Sequence, residues 1–181
     1  MHLRLRSLLV GVLTLTLASA NTLATAEMTG LQQEPASATA DCVSNASSRH
    51  QVERLSGETR WETAACVAQF AYPEGSAQVI LARGDEAGGW ADALAGTVLS
   101  LAIDAPVLLT PPGELDGATR DEIQRLGATE IIVLGGPGAI SDEVLVQLRD
   151  LAPVVRRIAG SGRADTAAQI ATEAGVGNTA F

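Results

Sequence analysis

From about Val52 onward, short apolar runs alternate with longer mixed stretches. Residues 77–82 (Ala-Gln-Val-Ile-Leu-Ala), 106–110 (Pro-Val-Leu-Leu-Thr), 130–134 (Glu-Ile-Ile-Val-Leu) and 154–158 (Val-Val-Arg-Arg-Ile) are each too short for a helix, and glycine, proline or polar residues bound them. Near-continuous apolar runs of this length predict strands buried on both faces. Val52–Leu55 reads as a further short strand, with Gly57 as its turn. The intervening stretches read as helices. Thr59 is a plausible N-cap, with Glu62 three residues on to complete a capping box, and Tyr72-Pro73-Glu74-Gly75 ends that helix near Ala71. Trp90–Ile103 is rich in Ala and Leu. Residues 116–126 form a helix closed by Gly127, Ser141 caps a helix reaching about Leu151, and residues 163–174 form the last. Strand and helix alternate five times, which specifies an α/β fold with a parallel sheet and helices on its faces. Right-handed crossovers leave a doubly wound or three-layer sandwich as the favoured arrangement.

The pattern also repeats. Residues 54–68 (Arg-Leu-Ser-Gly-Glu-Thr-Arg-Trp-Glu-Thr-Ala-Ala-Cys-Val-Ala) return as residues 157–171 (Arg-Ile-Ala-Gly-Ser-Gly-Arg-Ala-Asp-Thr-Ala-Ala-Gln-Ile-Ala), displaced by 103 positions without a gap. Such a repeat defines the unit of architecture. One unit, residues 52–155, reads as complete; residues 156–181 read as the start of a second, truncated one. The expectation is a fragment, an interrupted gene, or a minimal module in which the extra strand and helix close the sheet of the first unit.

Before the first unit, residues 1–26 read as a signal peptide. Arg4 and Arg6 form the basic region, residues 8–18 the apolar region, and Ala18-Ser19-Ala20 and Ala24-Thr25-Ala26 offer small-x-small cleavage sites, the second preferred. The apolar run is too short to span a bilayer. Residues 27–51 read as a flexible Ala/Ser/Thr/Gln-rich linker. Export permits a disulfide between Cys42 and Cys66, worth about 3 kcal/mol by loop entropy. The alternative is two free thiols. Cys66 aligns with the polar Gln169 of the echo and is expected to face outward.

Composition narrows the function. All twelve basic residues are arginine, against 21 acids, and the net charge is −9. Nucleic acid is thereby excluded as a partner, and aromatics at 3% leave no obvious stacking platform. No cofactor or metal is expected: beyond the leader His50 is the only histidine, and no zinc spacing, plausible Ser-His-Asp triad or nucleophile elbow occurs. The chain is therefore read as non-catalytic. Gly135-Gly136-Pro137-Gly138 joins a strand to a helix. It reads first as a tight turn needing glycine dihedrals, and second as a phosphate cradle. Asp85, Glu86 and Asp92 flank the 84–89 loop, where strand carboxyl ends face ligands. They read as solvated or helix-start acids, with Ca²⁺ or a polar sugar as the functional alternative.

Several stretches together carry a resemblance: Arg54-Leu55-Ser56-Gly57, Arg60-Trp61-Glu62-Thr63-Ala64, Val79-Ile80-Leu81-Ala82-Arg83-Gly84, Trp90-Ala91-Asp92-Ala93-Leu94-Ala95-Gly96, Ala105-Pro106-Val107-Leu108-Leu109-Thr110 and Ile131 through Ser141. Residues 53–174 resemble the cell wall binding repeat 2 family, departing from it at Ala91, where the family usually carries proline. The resemblance implies a Rossmann-like or flavodoxin-like α/β repeat, secreted by Gram-positive bacteria and held at the cell wall by an anionic polysaccharide, with self-association of repeats. No membrane is a partner once the signal is cleaved. It makes Arg60 and Asp92 a signature charged pair, with Arg163 repeating Arg60 and with Arg60 bonding the Asp92 region to fix the strand–loop geometry. The ligand-binding candidates are Arg60, Asp85, Asp92, Thr110 and Arg163. The alternative function is a small secreted α/β enzyme or nucleotide-type ligand binder using the 135–138 loop.

Overall fold

A computed structural model describes residues 43–46, 52–85 and 89–175. The leader, most of the linker, Cys42, His50, Glu86 and residues 176–181 lie outside them. Along the chain run β1 (Val43–Ala46), β2 (Val52–Leu55), α1 (Arg60–Ala71), β3 (Gln78–Arg83), α2 (Trp90–Ile103), β4 (Val107–Thr110), α3 (Gly117–Leu126), β5 (Glu130–Leu134), α4 (Asp142–Arg149), β6 (Val154–Ile158) and α5 (Arg163–Glu173).

Four strands form one parallel sheet in the order β4-β3-β5-β6. The central pair is apolar from Val79 to Ala82 and from Ile131 to Leu134, where both faces are covered. Val79 and Leu81 of β3, with Ile131 and Val133 of β5, meet Ala68 of α1, Ile123 and Leu126 of α3, and Val144 and Leu148 of α4. Their alternates Ile80, Ala82, Ile132 and Leu134 meet Leu99 of α2 and Ile170 of α5. Each fully buried Ile or Leu of these layers contributes about 1.5–3 kcal/mol. The result is a three-layer α/β sandwich. The β3-to-β4 crossover runs by α2 on one face, and the β4-to-β5 and β5-to-β6 crossovers run in the opposite direction by α3 and α4 on the other. All three therefore share one hand, as the right-handed rule requires.

Local chemistry sets the element ends. Thr59 and Glu62 form the expected capping box on α1. Asp116 caps α3 through the amides of Ala118 and Thr119, and Gly127 closes it in the left-handed region at φ 66°. Ser141 holds the N-cap position of α4 without a side-chain bond to the helix. That helix stops at Arg149, earlier than its apolar pattern suggests, because Asp150 and Leu151 already bond back three residues to Gln147 and Leu148.

The strand Val52–Leu55 forms, but outside the parallel sheet. β2 pairs antiparallel with β1, while its counterpart β6 takes the place beside β5. The repeat is nonetheless visible in hydrogen bonds. Gly57 N donates to Thr63 Oγ1 at 3.0 Å, and Gly160 N donates to Thr166 Oγ1 at 3.0 Å. Both glycines are required by close approach: a Cβ on Gly57 would collide with Glu62, and one on Gly160 with Asp165. The two helices that follow bury different sides. α1 buries Ala65, Cys66 and Ala68, whereas α5 buries Thr166 and Ile170. Cys66 is accordingly buried, 1% exposed, with its Sγ 3.7 Å from Ser56 O, and not outward-facing as its alignment with exposed Gln169 suggested.

The duplicated bond yields a comparison. Thr166→Val strands a buried amide and should cost about 1–3 kcal/mol. Thr63→Val should cost less, because Thr63 is only half-buried and water can replace its hydroxyl. Urea unfolding of the two variants checks the order.

Candidate functional site

In the strand order β4-β3-β5-β6, the chain leaves β3 toward one edge and β5 toward the other. The loops after these two strands therefore part, and a crevice opens at the carboxyl ends of the sheet. It is an open cleft of about 250 Å³, lined among others by Arg83, Asp92, Gly136, Gly138, Gly162 and Arg163. Three of the four strand carboxyl ends contribute: Arg83 closes β3, Gly136 and Gly138 follow β5, and Gly162 and Arg163 follow β6.

Asp92 stands in the first turn of α2, where the helix dipole favours a negative charge. Its side chain reaches the turn after β5. Gly135 has φ +91°, and a Cβ there would run into the Asp92 carboxylate and into Ala139. Glycine is thus required at this position both by dihedral and by space. Burial pushes the Asp92 carboxyl above its ordinary range, and the charges of Arg163 and Arg83 oppose that shift.

The 135–138 segment is built as the tight turn its glycines suggest. Gly135 N donates to Ile158 O at 2.9 Å, and the amides of Ala139 and Ile140 donate back to Gly136 O. Arg157 ties the turn down from β6: Nη1 donates to Gly135 O at 2.7 Å, and Nη2 to Ile140 O at 2.8 Å and Asp142 Oδ1 at 3.1 Å. The first turn of α4 already carries the carboxylates of Asp142 and Glu143. With Asp92 beside it, this is a poor place for a phosphate.

Arg83 spans the cleft floor. It grips Asp85 through two bonds, Nε–Oδ1 at 2.6 Å and Nη2–Oδ2 at 2.7 Å, and its Nη1 donates to Gly138 O at 3.3 Å. The guanidinium holds the Asp85 carboxyl below its ordinary range. Gly89 packs directly on this pair, and a Cβ there would collide with the Arg83 side chain and Asp85 Oδ1.

Of the five sequence candidates, the cleft lining brings together Asp92 and Arg163. Asp85 is engaged by Arg83 instead of being a solvated loop acid. Thr110 is fully buried and structural: its hydroxyl donates to Glu114 O at 2.9 Å and accepts from Asp116 N at 3.1 Å, fixing the turn into α3. Arg60 reaches the strand–loop junction, where Nη1 donates to Gly84 O at 3.0 Å. The arginine charges acting on the Asp92 carboxyl are those of Arg163 and Arg83. Arg83 and Arg157 were not singled out from sequence. Their signals were an arginine closing the 79–84 strand motif and the leading arginine of the repeated segment. Cys66 is disulfide-bonded and no described cysteine is a free thiol; Cys42, its expected partner, lies outside the described residues. Among the described residues no cluster of His, Cys, Asp or Glu is placed to hold a metal ion, and no helix is long and apolar enough to cross a membrane.

A parallel sandwich with a glycine-walled cleft at its switch point defines an α/β ligand-binding module. Residues 54–145, just over half the chain, match the family described as cell wall binding domain 2 (CWB2), and the chain belongs to that family. It is 32% identical to the N-acetylmuramoyl-L-alanine amidase LytC of Bacillus subtilis (strain 168), over 68% of this chain and 24% of that protein. It is 28% identical to the amidase enhancer of the same organism, over 68% of this chain and 17% of that one. Among solved structures it resembles Cwp6 from Clostridium difficile, with a TM-score of 0.60 at 29% identity over 72% of this chain and 22% of that one. Cwp8 from the same species gives a TM-score of 0.57 at 31% identity, over 66% and 19%. The chain therefore spans about a quarter of the length of such relatives, or less.

Two outcomes follow from these contacts. Because burial raises the carboxyl of Asp92 in the folded state, its ionised form weakens the fold at neutral pH. Asp92→Asn should raise the melting temperature at pH 7, and the gain should close as pH falls through the range in which Asp92 takes up its proton. Thermal melts between pH 3 and 7 read the crossing. For the cysteines, thiol titration of the unreduced, unfolded chain should find no free thiol, and Cys42→Ala should lower the melting temperature.

Proposed function

We propose that the chain is a secreted, non-catalytic module that attaches to the bacterial cell wall through a wall polysaccharide held in the cleft at the switch point. The observation that carries this reading is the cleft's own composition. Asp92 can accept bonds from sugar hydroxyls, Arg83 and Arg163 can meet anionic substituents, and the side-chain-free walls at Gly136 and Gly138 let a bulky polar ligand approach the backbone. Membership of a cell wall binding family supports the same partner. The local arginines also answer the chain's acidity, since a net charge of −9 otherwise repels an anionic polymer.

The same composition supports a binding role over hydrolysis. Glycoside cleavage ordinarily uses two carboxyl groups across the scissile bond, and among the described lining residues Asp92 is the one carboxylate. The described residues contain no histidine to act as base.

The test is retention of the purified full chain on bacterial cell walls before and after extraction of the secondary polymers. Retention should be lost on extraction and weakened by salt, and Arg163→Gln should reduce affinity about tenfold, the loss of one charge-assisted contact. Retention on extracted walls would reject a polysaccharide ligand. Failure to bind any wall, together with a melting temperature raised by a nucleotide, would favour the alternative built on the 135–138 loop.

A further inference from the structure

The repeated segment docks once and is displayed once. As β6 and α5 it seats on the unit that precedes it. β6 lies parallel to β5 from Glu130 to Leu134, and Ile158 and Ile170 enter the layer built by Ile80, Leu99, Ile132 and Leu134. Ile158 is 7% exposed there and Ile170 1%. As β2 and α1 the segment carries the same chemistry at the same spacing, since Leu55 and Val67 stand 103 positions before Ile158 and Ile170. Both are more open in this first copy. Leu55 is half-buried and Val67 is 47% exposed. Ala71 is exposed too, whereas its counterpart Ala174 packs against the buried layer. Among the described residues β2 pairs with β1 alone, which leaves one of its edges open.

The helix has two sides, and each copy covers one of them. α1 seats on its own unit through Ala65, Cys66 and Ala68. Val67 and Ala71, one helical turn apart, lie on the opposite side. In α5 the pattern inverts: Ala168 and Gln169, the counterparts of Ala65 and Cys66, are exposed, and Ile170 is buried. A scattered apolar residue on a surface is ordinary. Val67 differs because its counterpart shows what covers that position when it is covered: an unpaired β5-type edge beside an apolar helix of the α2 kind.

We propose that Leu55, Val67 and Ala71 form a docking face for a further unit of the same fold placed ahead of this one, a unit whose own sheet ends at its β5. Val67 enters the α2 layer of that unit as Ile170 enters the layer here, and β2 extends its sheet as β6 extends this one. A second natural copy of the chain is not an acceptor, because its β5 is already paired with β6. The inference concerns assembly and stands whether or not the cleft holds a sugar.

The test is the chain lengthened by one period, residues 1–154 followed by residues 52–181, which supplies such a unit in phase with the repeat. Val67→Asp in its inner copy should lower the melting temperature by about 5–10 °C, the effect of a carboxylate forced into an apolar layer. In the natural chain, where Val67 faces water, the same substitution should change it by about 2 °C or less. Equal effects in the two chains would overturn the proposal. Should the lengthened chain fail to fold, the same face can be read in two separate full chains. Ile170→Asp loosens α5 and opens the β5 edge, so sedimentation should show the wild type binding this variant one to one and Val67→Asp failing to bind it. No binding by the wild type, or binding that survives Val67→Asp, would equally overturn it.

Discussion

Burial of β3 and β5 side by side is the constraint on which the rest of the structure depends. From Val79 to Ala82 and from Ile131 to Leu134 the side chains are fully enclosed, alternately by the α1/α3/α4 layer and the α2/α5 layer. Such a pair needs helices on both faces, and the short chain between elements supplies them only by sending one crossover each way. The crevice at the carboxyl ends follows directly from that parting. The cleft is thus a by-product of how the core is covered, and the residues lining it are those that happen to close the two strands or open the helices after them.

Arginine performs most of the fastening around this crevice. Arg157 holds three acceptors of the turn after β5 and the helix behind it, and Arg83 joins the end of β3 to the same turn; away from the crevice, at the amino end of β5, Arg156 bridges Glu130 to Glu173. A planar fork with several fixed donors can satisfy carbonyls and carboxylates at once, which an ammonium does less well. The total absence of lysine from an acidic chain is understandable in those terms. The positive charges near the crevice are part of its framework, and their positions are already set.

Much of the fold was legible because local signals agree with tertiary ones. Glycine, proline and capping residues punctuate the apolar runs, so that the limits of α1, β3, α2, α3, β5 and β6 fall where the pattern places them. Asp92 was legible because it combines a helix start with a strand-end loop. What escaped depends on neighbours that sequence order hides. β3 and β5 are adjacent although β4 lies between them in sequence, so the joint role of Arg83, Gly138 and Arg157 is invisible along the chain. Thr110 looked like a ligand residue at a strand end and instead closes its own turn. Cys66 was misjudged for another reason. The repeated segment is one sequence in two settings, and alignment with Gln169 transfers a burial pattern that belongs to the other face of the sheet.

This last feature has a mechanical side. The sequence period begins at Arg54 and recurs at Arg157, yet the sheet is closed by β6 and the α2 layer by α5, both from beyond the family match that ends at residue 145. Sequence unit and folded unit are thus out of phase by one strand and one helix. Tandem copies built on this plan would be clasped, not strung as beads. Tension between such copies would load a parallel strand pair like β5–β6 in shear, where the bonds from Glu130 to Leu134 yield together, instead of stretching a linker.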